Sequence, residues 1–596
     1  MSLAVLPGNG LGEDWEGVAP QGPGWCETGA VTGANFTPTV AALPDKQSAG
    51  AVPAALTEYR VRVRVRLIAS RVAVVLAVLT LLATTAAHLW RPVLLVDQAW
   101  DPLASATRLS LLAAAIAMLV AARGLRRGHA LAWVGTVGVL GISVLLHLAH
   151  RFDVVASLIL LAGLVWLATQ RRSFTVLPSR RDLRRSGWIL LAGLGAVGLV
   201  VVGFGLLAGR AGDRHDDLIH ARGVVRAVLT VIFLAVLAWS LTSPRRPRAM
   251  SATDHRAERE RARRIVQRYG GGTLDYFALR DDKDWFFVGG TVVAHTVRGG
   301  VCLVSPDPIG PPQERAAAWA EFAGYAAEYG WSLAVLGAAA EWVPIYEATG
   351  LRALYLGDEA IVECAGFTLE GPGRKGLRQA VNRVVRAGCT TTFHDPAALD
   401  EDLRAGVIEV AGESRRGGAE RGFSMTLSRM FDPADTGLLL AVTRNEAGRV
   451  EAFCQWTPAA SVDGWSLDVM RRRTDADDVP NGIVEFTIVR TMQEVAARGG
   501  HGMGLNFAVM REVLEGVGDS RWRPLLRPVL RRLSENTQMS SLATFNAKFD
   551  PAWVPRYVAL DSAEFVASQA LVMAGAEGVT ELPVIGRFLG AQAGPQ

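Results

Sequence analysis

Leu438-Leu-Leu-Ala-Val442 and Val450-Glu-Ala-Phe-Cys-Gln-Trp456 stand on either side of a turn containing Asn445 and Gly448, and Trp465-Ser-Leu-Asp-Val-Met470 follows. Apolar, β-branched and aromatic runs broken by turn formers predict a hairpin and a third strand. Val484, Ile488, Met492 and Val495 then recur at helical spacing up to Gly499-Gly500, where a helix would end. Gly504 to Phe507 reads as the next strand. The same order occurs upstream. Strands are expected at Trp285 to Phe287, Thr291 to His295 and Val301 to Val304, a helix from Glu314 to Tyr329, and a strand from Ser332 to Leu336. Two successions of strands, helix and strand predict a duplicated α/β fold.

Ahead of this region the composition changes. The chain has 596 residues, half of them hydrophobic, and the apolar ones crowd between Leu67 and Leu241; the mean hydropathy is +0.23. About six segments approach membrane-spanning length: Val72–Leu89, Ser105–Ala122, Ala130–Leu148, Val154–Thr169, Trp188–Leu207 and Val224–Leu241. Arginine clusters precede the first and follow the second, fourth and sixth, while the intervening loops carry Asp97, Asp101, Asp153, Asp213, Asp216 and Asp217. This alternation predicts both termini in the cytosol of a bacterial-type inner membrane. His147 sits near the end of the third segment and reads as an interfacial residue. Residues 1–56 have no basic start and no leading apolar run, so a signal peptide is not expected there; Gly, Pro, Ala and Thr predict a disordered tail. The five cysteines have no metal or disulfide spacing and read as core residues, so no metal and no cofactor is expected.

Three segments bear chemistry. In Gly373 to Gly388, Leu377, Val381, Val384 and Val385 make an apolar stripe. Arg374, Lys375, Arg378, Asn382, Arg383 and Arg386 lie mostly away from it. Cations without an acidic partner inside the helix suit phosphates, of RNA or of anionic lipid, although a solvated basic face has the same pattern. In Trp465 to Arg473, alternation sets Leu467 and Val469 on one strand face and Ser466 and Asp468 on the other. A carboxylate within an apolar strand must be paired or used. Arg472 shares its parity, and Arg471 does so only through a bulge. Arg521, Trp522, Arg523, Arg527, Arg531 and Arg532, followed by Lys548, Trp553, Arg556 and Tyr557, interleave cations with aromatics. That pattern fits phosphate contact with base stacking, or a membrane-interface belt. His501 reads as a surface turn residue, and no Ser/His/Asp arrangement stands out. Gln267-Arg-Tyr-Gly-Gly-Gly272 matches a pyrophosphate-binding loop only by composition, since no strand precedes it.

Residues from about Arg261 to Leu560 resemble the C-terminal domain of the multiple peptide resistance factor family, the phosphatidylglycerol lysyl- and alanyltransferases. The resemblance rests on ordered strings: Tyr276 to Lys283, Ser305 to Gly310, Leu356 to Ala360, the Arg374-Lys375…Asn382-Arg383 helix, Gly422 to Met425, Leu467 to Arg471, and Lys548-Phe…Trp553…Arg556-Tyr557. It implies tandem GNAT-like folds that move an aminoacyl group from aminoacyl-tRNA, without acetyl-CoA, to a lipid hydroxyl. Phosphatidylglycerol is the expected acceptor, lysyl-tRNA the expected donor and the membrane bilayer a further partner. Asp468 and Arg471 match family positions associated with activity, with Lys375 beside them. The expected substrate-binding set is Lys375, Arg378, Asn382, Arg383, Arg472, Lys548, Trp553, Arg556 and Tyr557. The whole reads as an α-helical membrane domain of about six spans followed by an α/β cytosolic domain of tandem GNAT-like folds. Its expected divisions are a tail (1–58), the membrane domain (59–245), a charged linker (246–265), two GNAT-like units (266–390 and 391–575) and a C-terminal tail (576–596). The spans are about half as many as in long family members, and no tRNA synthetase is appended, so a cellular charged tRNA is expected. Alanyl transfer, another lipid, or a non-catalytic tRNA- or lipid-binding tether are the alternatives.

Overall fold

Local patterning builds the strands, but pairing between distant strands builds the sheet. The computed structural model describes residues 54–89, 118–149, 154–208, 243–415, 422–474, 478–509, 539–561 and 563–577. Among the described residues, besides a helical stretch over 118–126, four longer N-terminal helices come first: α1 (Ala54–Leu89), α2 (Ala130–Ala149), α3 (Val154–Thr169) and α4 (Arg180–Ala208). They overlap the first, third, fourth and fifth expected spans. The sixth, and most of the second, lie outside the described residues, as do the 1–53 tail and Arg521 to Arg532. Among the described residues no helix is long and apolar enough to cross a membrane. Most of the exposed large hydrophobic side chains nevertheless fall before residue 203, Trp188, Leu191 and Leu199 among them.

The α/β region opens with α5 (Ala252–Tyr269), whose N-cap Ser251 accepts a hydrogen bond from the Asp254 N–H. A three-stranded antiparallel meander follows: β1 (Asp284–Val288), β2 (Thr291–Arg298) and β3 (Val301–Val304). Helix α6 (Arg315–Glu328) returns the chain to β4 (Ser332–Ala339), which runs parallel to β3. Short α7 (Val343–Ala348) leads to β5 (Arg352–Glu363). The second half repeats this order. After α8 (Lys375–Arg386), β6 (Thr390–His394) and α9 (Glu401–Arg415) comes the meander β7 (Leu439–Arg444), β8 (Val450–Ala459) and β9 (Gly464–Arg472). Then α10 (Ile483–Ala497) leads to β10 (Gly502–Val509), parallel to β9. Last come α11 (Met539–Ala547), β11 (Ala552–Leu560) and α12 (Ala563–Ala576).

The strands form one sheet in the order β1-β2-β3-β4-β11-β5-β10-β9-β8-β7-β6. Strands β5 and β11, the closing strands of the two repeats, are exchanged. β11 leaves the second half to pair with β4, β5 leaves the first to pair with β10, and the two pair antiparallel at the centre. Neither strand was anticipated from the sequence.

Helices α8 and α10 cover one sheet face, burying Leu377, Val381 and Val384 against Trp456, Leu467 and Met492. Each such side chain contributes about 1.5–3 kcal/mol when fully buried. Val385, expected in the same stripe, is 55% exposed, because the helix makes only a narrow contact. At its end Gly388 has φ +71° and the Cys389 N–H reaches the Val384 carbonyl at 3.3 Å, a left-handed terminator that suits glycine. Cys302, Cys364, Cys389 and Cys454 are buried free thiols, as core residues should be.

Candidate functional site

The pairing of β8 with β9 slips between Gln455↔Val469 and Trp456↔Leu467, which makes Asp468 the extra residue of a bulge. Alternation fails there. Leu467 packs into the core beneath α8 and α10, whereas Val469 packs with Val407, Val410 and Phe453 beneath α9. The two were expected on one face; the bulge turns them apart. It also reverses the expected parity beyond it, so that Arg471, half-buried, follows Asp468 while the exposed Arg472 turns towards the α8/α10 side.

Asp468 is 2% exposed. Its Oδ1 accepts the Leu427 N–H at 2.8 Å and its Oδ2 accepts the Gln455 amide at 2.6 Å. The donor Leu427 belongs to a segment that is itself pinned. Arg280 donates to the Gly422 carbonyl, and Ser424 donates to Glu577 through both its N–H and its hydroxyl. Burial raises the Glu577 carboxyl above its ordinary value. Gln455 Oε1 is buried without a hydrogen-bond partner among the described residues.

A second polar cluster lies on the same side of the sheet, where β9 and β10 part. Only Gly502, Met503 and Gly504 of β10 pair with β9. Trp465 and Leu467 face the α8/α10 core, so Ser466 faces away; Ala360 and Val362 do likewise on β5, so Glu359 also faces away. Glu359 is 1% exposed. Arg556 grips its Oε2 from Nε at 2.9 Å and Nη2 at 2.5 Å, and also donates to Thr273 Oγ1 at 3.0 Å. Glu359 Oε1 and the Ser466 hydroxyl are buried without hydrogen-bond partners among the described residues. Between them is Gly504: a Cβ there would stand 3.1 Å from Ser466 Oγ and 3.2 Å from Glu359 Oε1. A buried carboxylate oxygen and a buried hydroxyl here flank a position with no side chain, a small polar recess whose hydrogen bonds are unmade among the described residues.

The other expected residues divide by face. Lys375, Arg378, Asn382 and Arg383 are on α8, across the sheet from Asp468. Arg378 donates to the Leu369 carbonyl at 2.7 Å and Arg383 to the Asn481 carbonyl at 3.0 Å. Arg374 bonds the Thr368 carbonyl and pairs with Asp550. Lys375 and Asn382 are exposed, with no side-chain hydrogen bond among the described residues. Lys548 pairs with Glu485 at 2.7 Å, and Trp553 packs into the α8/α10 core. Tyr557 packs against the first-half core. Only Arg556 of that segment reaches the recess. Glu359 was missed as a site residue, although Asp358-Glu359 ahead of the apolar Ala360-Ile-Val362 was a visible signal: two adjacent acids leading into a buried strand. His501 is exposed and paired with Asp463, the surface position expected of it. The Gly270–Gly272 stretch follows α5, and its Gly271 and Gly272 N–H groups are taken by the Asp275 carboxylate at 2.9 and 2.8 Å. A pyrophosphate cradle would need those donors open.

Fold and site define a class: α/β proteins of two tandem repeats with exchanged closing strands and a buried acidic recess beside the second parallel pair. The chain belongs to the family described as "Phosphatidylglycerol lysyltransferase, C-terminal", which matches residues 263–560, half of its length. Among curated proteins, the lysylphosphatidylglycerol biosynthesis bifunctional protein LysX of Mycobacterium sp. (strain JLS) is 33% identical over 468 residues, 71% of this chain and 41% of that protein. LysX of Mycobacterium avium (strain 104) is 34% identical over 391 residues, 64% of this chain and 32% of its own. The chain thus spans a third to two fifths of the length of these relatives. Among solved structures, L-PGS from Bacillus licheniformis is 24% identical with a TM-score of 0.47, over 54% of this chain and 96% of that one.

Proposed function

We propose that the chain transfers an aminoacyl group, lysyl in the first instance, from aminoacyl-tRNA to a hydroxyl of phosphatidylglycerol at a bacterial membrane. The observation that carries this is the buried acidic side of the sheet, Asp468 and Glu359, in a chain of this family. An aminoacyl ester presents an ammonium beside an activated carbonyl. A buried carboxylate such as Asp468 holds that ammonium by a charge-assisted hydrogen bond, while Ser466 and Glu359 line the recess next to it. The lipid hydroxyl oxygen attacks the ester carbonyl and loses its proton. The bond to the tRNA ribose oxygen breaks, and that oxygen leaves as a hydroxyl after taking up a proton. The ester is already activated, so position, proton transfer and oxyanion stabilisation suffice. Arg471 is assigned to the lipid or tRNA phosphate. Exposed Lys375 and Asn382, with the cations of α8, are assigned to tRNA on the opposite face.

The repeated order of meander, helix, parallel strand and closing strand fits tandem GNAT-like units. Residues 59–245 are assigned to the membrane, with the tail and the α/β domain in the cytosol. Support comes from the arginine alternation and from the exposed apolar side chains of α1 to α4. The product would carry less negative charge, which lowers sensitivity to cationic peptides. The assay is direct: purified full-length protein, phosphatidylglycerol vesicles and lysyl- or alanyl-tRNA, with the lipids read by mass spectrometry. Lysyl-lipid formed only with intact charged tRNA supports the reading. Transfer that survives RNase and runs on acetyl-CoA overturns it, and binding without transfer leaves a tether.

A further inference from the structure

A cavity of about 350 Å³ lies far from the recess, where the N-terminal helices meet the sheet. Its walls include Arg123, Ser243, Arg245, Arg246, Gly299 and Gly300. Gly299 and Gly300 form the turn between β2 and β3. From there the level runs through Leu560 of β11 to Arg352 of β5, whereas Gly504 pairs with Ile361 at the other end of β5. Strand rise makes that separation roughly 30 Å along the strands. The walls are built. The Arg245 N–H donates to the Tyr329 carbonyl, its Nε donates to the Leu177 carbonyl at 2.8 Å, and its own carbonyl accepts from Trp331 at 2.7 Å. Arg126 fixes the adjacent segment through Asp561 at 2.6 Å.

Among the described residues no carboxylate lines the cavity. Behind Gly300 lies Arg127, 4% exposed, with its Nη1 2.8 Å from where a Gly300 Cβ would stand. Its Nε and Nη1 have no hydrogen-bond partner among the described residues. Burial, and after it the charge of Arg123, lowers the Arg127 guanidinium to about 10. A buried guanidinium with two nitrogens unpartnered among the described residues, and with Arg123 nearby, is costly unless an anion completes it.

We infer that this cavity holds the phosphate of an anionic phospholipid head group, at a site separate from the site of transfer. A phosphodiester supplies several acceptor oxygens to arginines at once, and basic pockets at the cytosolic ends of membrane helices take such heads. Lipid is favoured over RNA by position. Ser243 to Pro247 follow directly on the last expected span, and Arg123, at the end of the second expected span, lines the cavity with them. The inference rests on the assignment of residues 59–245 to the membrane.

The test uses full-length protein in a neutral detergent and follows the unfolding midpoint as short-chain phosphatidic acid is added. That lipid has no head-group hydroxyl, so it cannot serve as acceptor. A saturable rise is expected, with no comparable rise from short-chain phosphatidylcholine or inorganic phosphate at equal concentration. Arg127→Gln and Arg246→Gln should each weaken half-saturation tenfold or more; Arg246 is exposed, so its variant will fold even if the first does not. Half-saturation unchanged in Arg246→Gln overturns the site. Inorganic phosphate acting as well as phosphatidic acid makes it a free-phosphate site and overturns the lipid assignment. An Arg246-dependent rise with uncharged tRNA but not with phosphatidic acid makes it an RNA contact and does the same. Transfer is measured on the same preparation. Its absence in the unaltered protein, with the phosphatidic acid response intact, refutes the transferase reading and leaves this site standing.

Discussion

Asp468 was visible in the sequence as a carboxylate inside an apolar strand, and its surroundings now sharpen what a substitution would do. In Asp468→Asn the Leu427 N–H can keep its acceptor, and the Gln455 amide can turn to offer its unpartnered Oε1 to the new NH2. The fold should therefore survive, with a midpoint within a few degrees of the unaltered protein. Transfer should fall about ten- to a hundredfold, the value of one charge-assisted contact. Equal activity would remove Asp468 from the site. Gly504→Ala tests the recess: the added methyl would crowd Ser466 and Glu359, so transfer should collapse while stability drops by about 1–3 kcal/mol. Normal turnover in that variant would show the recess to be unused. Lys283 offers a pH test outside the site. It is fully buried, bonded to the Phe277 and Ser305 carbonyls, and burial lowers its ammonium to about 7. The unfolded chain then binds more protons than the folded one between about pH 7 and 10.5, so this group makes stability rise with pH across that window. Asp307, raised by burial to about 7, acts in a lower window: its contribution is lost as pH rises from about 4 to 7. Unfolding midpoints should climb from pH 7 to 9, and Lys283→Met should flatten that climb and leave the lower window unchanged.

Helix α8 shows how far pattern reading reaches at the level of an element. Its buried stripe was legible, because Leu377, Val381 and Val384 repeat with the helical period. The use of its cations was not, because sequence cannot distinguish a guanidinium that ties down a loop from one that waits for a phosphate. Arg378 holds the carbonyls of Leu369 and Gly371, so Arg378→Gln should lower the unfolding midpoint. Lys375 holds nothing among the described residues, so Lys375→Gln should leave the midpoint alone and reduce the salt slope of tRNA binding by about one. An unchanged slope would make α8 a solvated face. Strands β5 and β11 escaped for a different reason. Arg352, Asp358 and Glu359 in one, and Pro555 and Arg556 in the other, break the apolar alternation that marks a strand. Their partners belong to the opposite repeat, so no local hairpin signal exists. The bulge at Asp468 entered only as the condition under which Arg471 would share the parity of Asp468, since a bulge is set by the mismatch of β8 and β9 and not by either strand alone.

For the whole molecule, the exchange of β5 and β11 joins the two repeats into one folding unit. Cutting the chain in the 366–373 connection should yield two fragments that are insoluble when expressed separately and that co-purify when expressed together; a first-half fragment that folds alone would show the exchange to be dispensable. The same exchange bears on the order of events during synthesis. Strand β4 emerges from the ribosome long before β11, its neighbour in the sheet, which lies more than two hundred residues downstream. At bacterial elongation rates the edge of β4 stays unpaired for roughly 10–40 s. Through that interval an open, apolar strand edge is available to any other nascent chain, so a cell making this protein must shield the first half until the last strand of the second arrives.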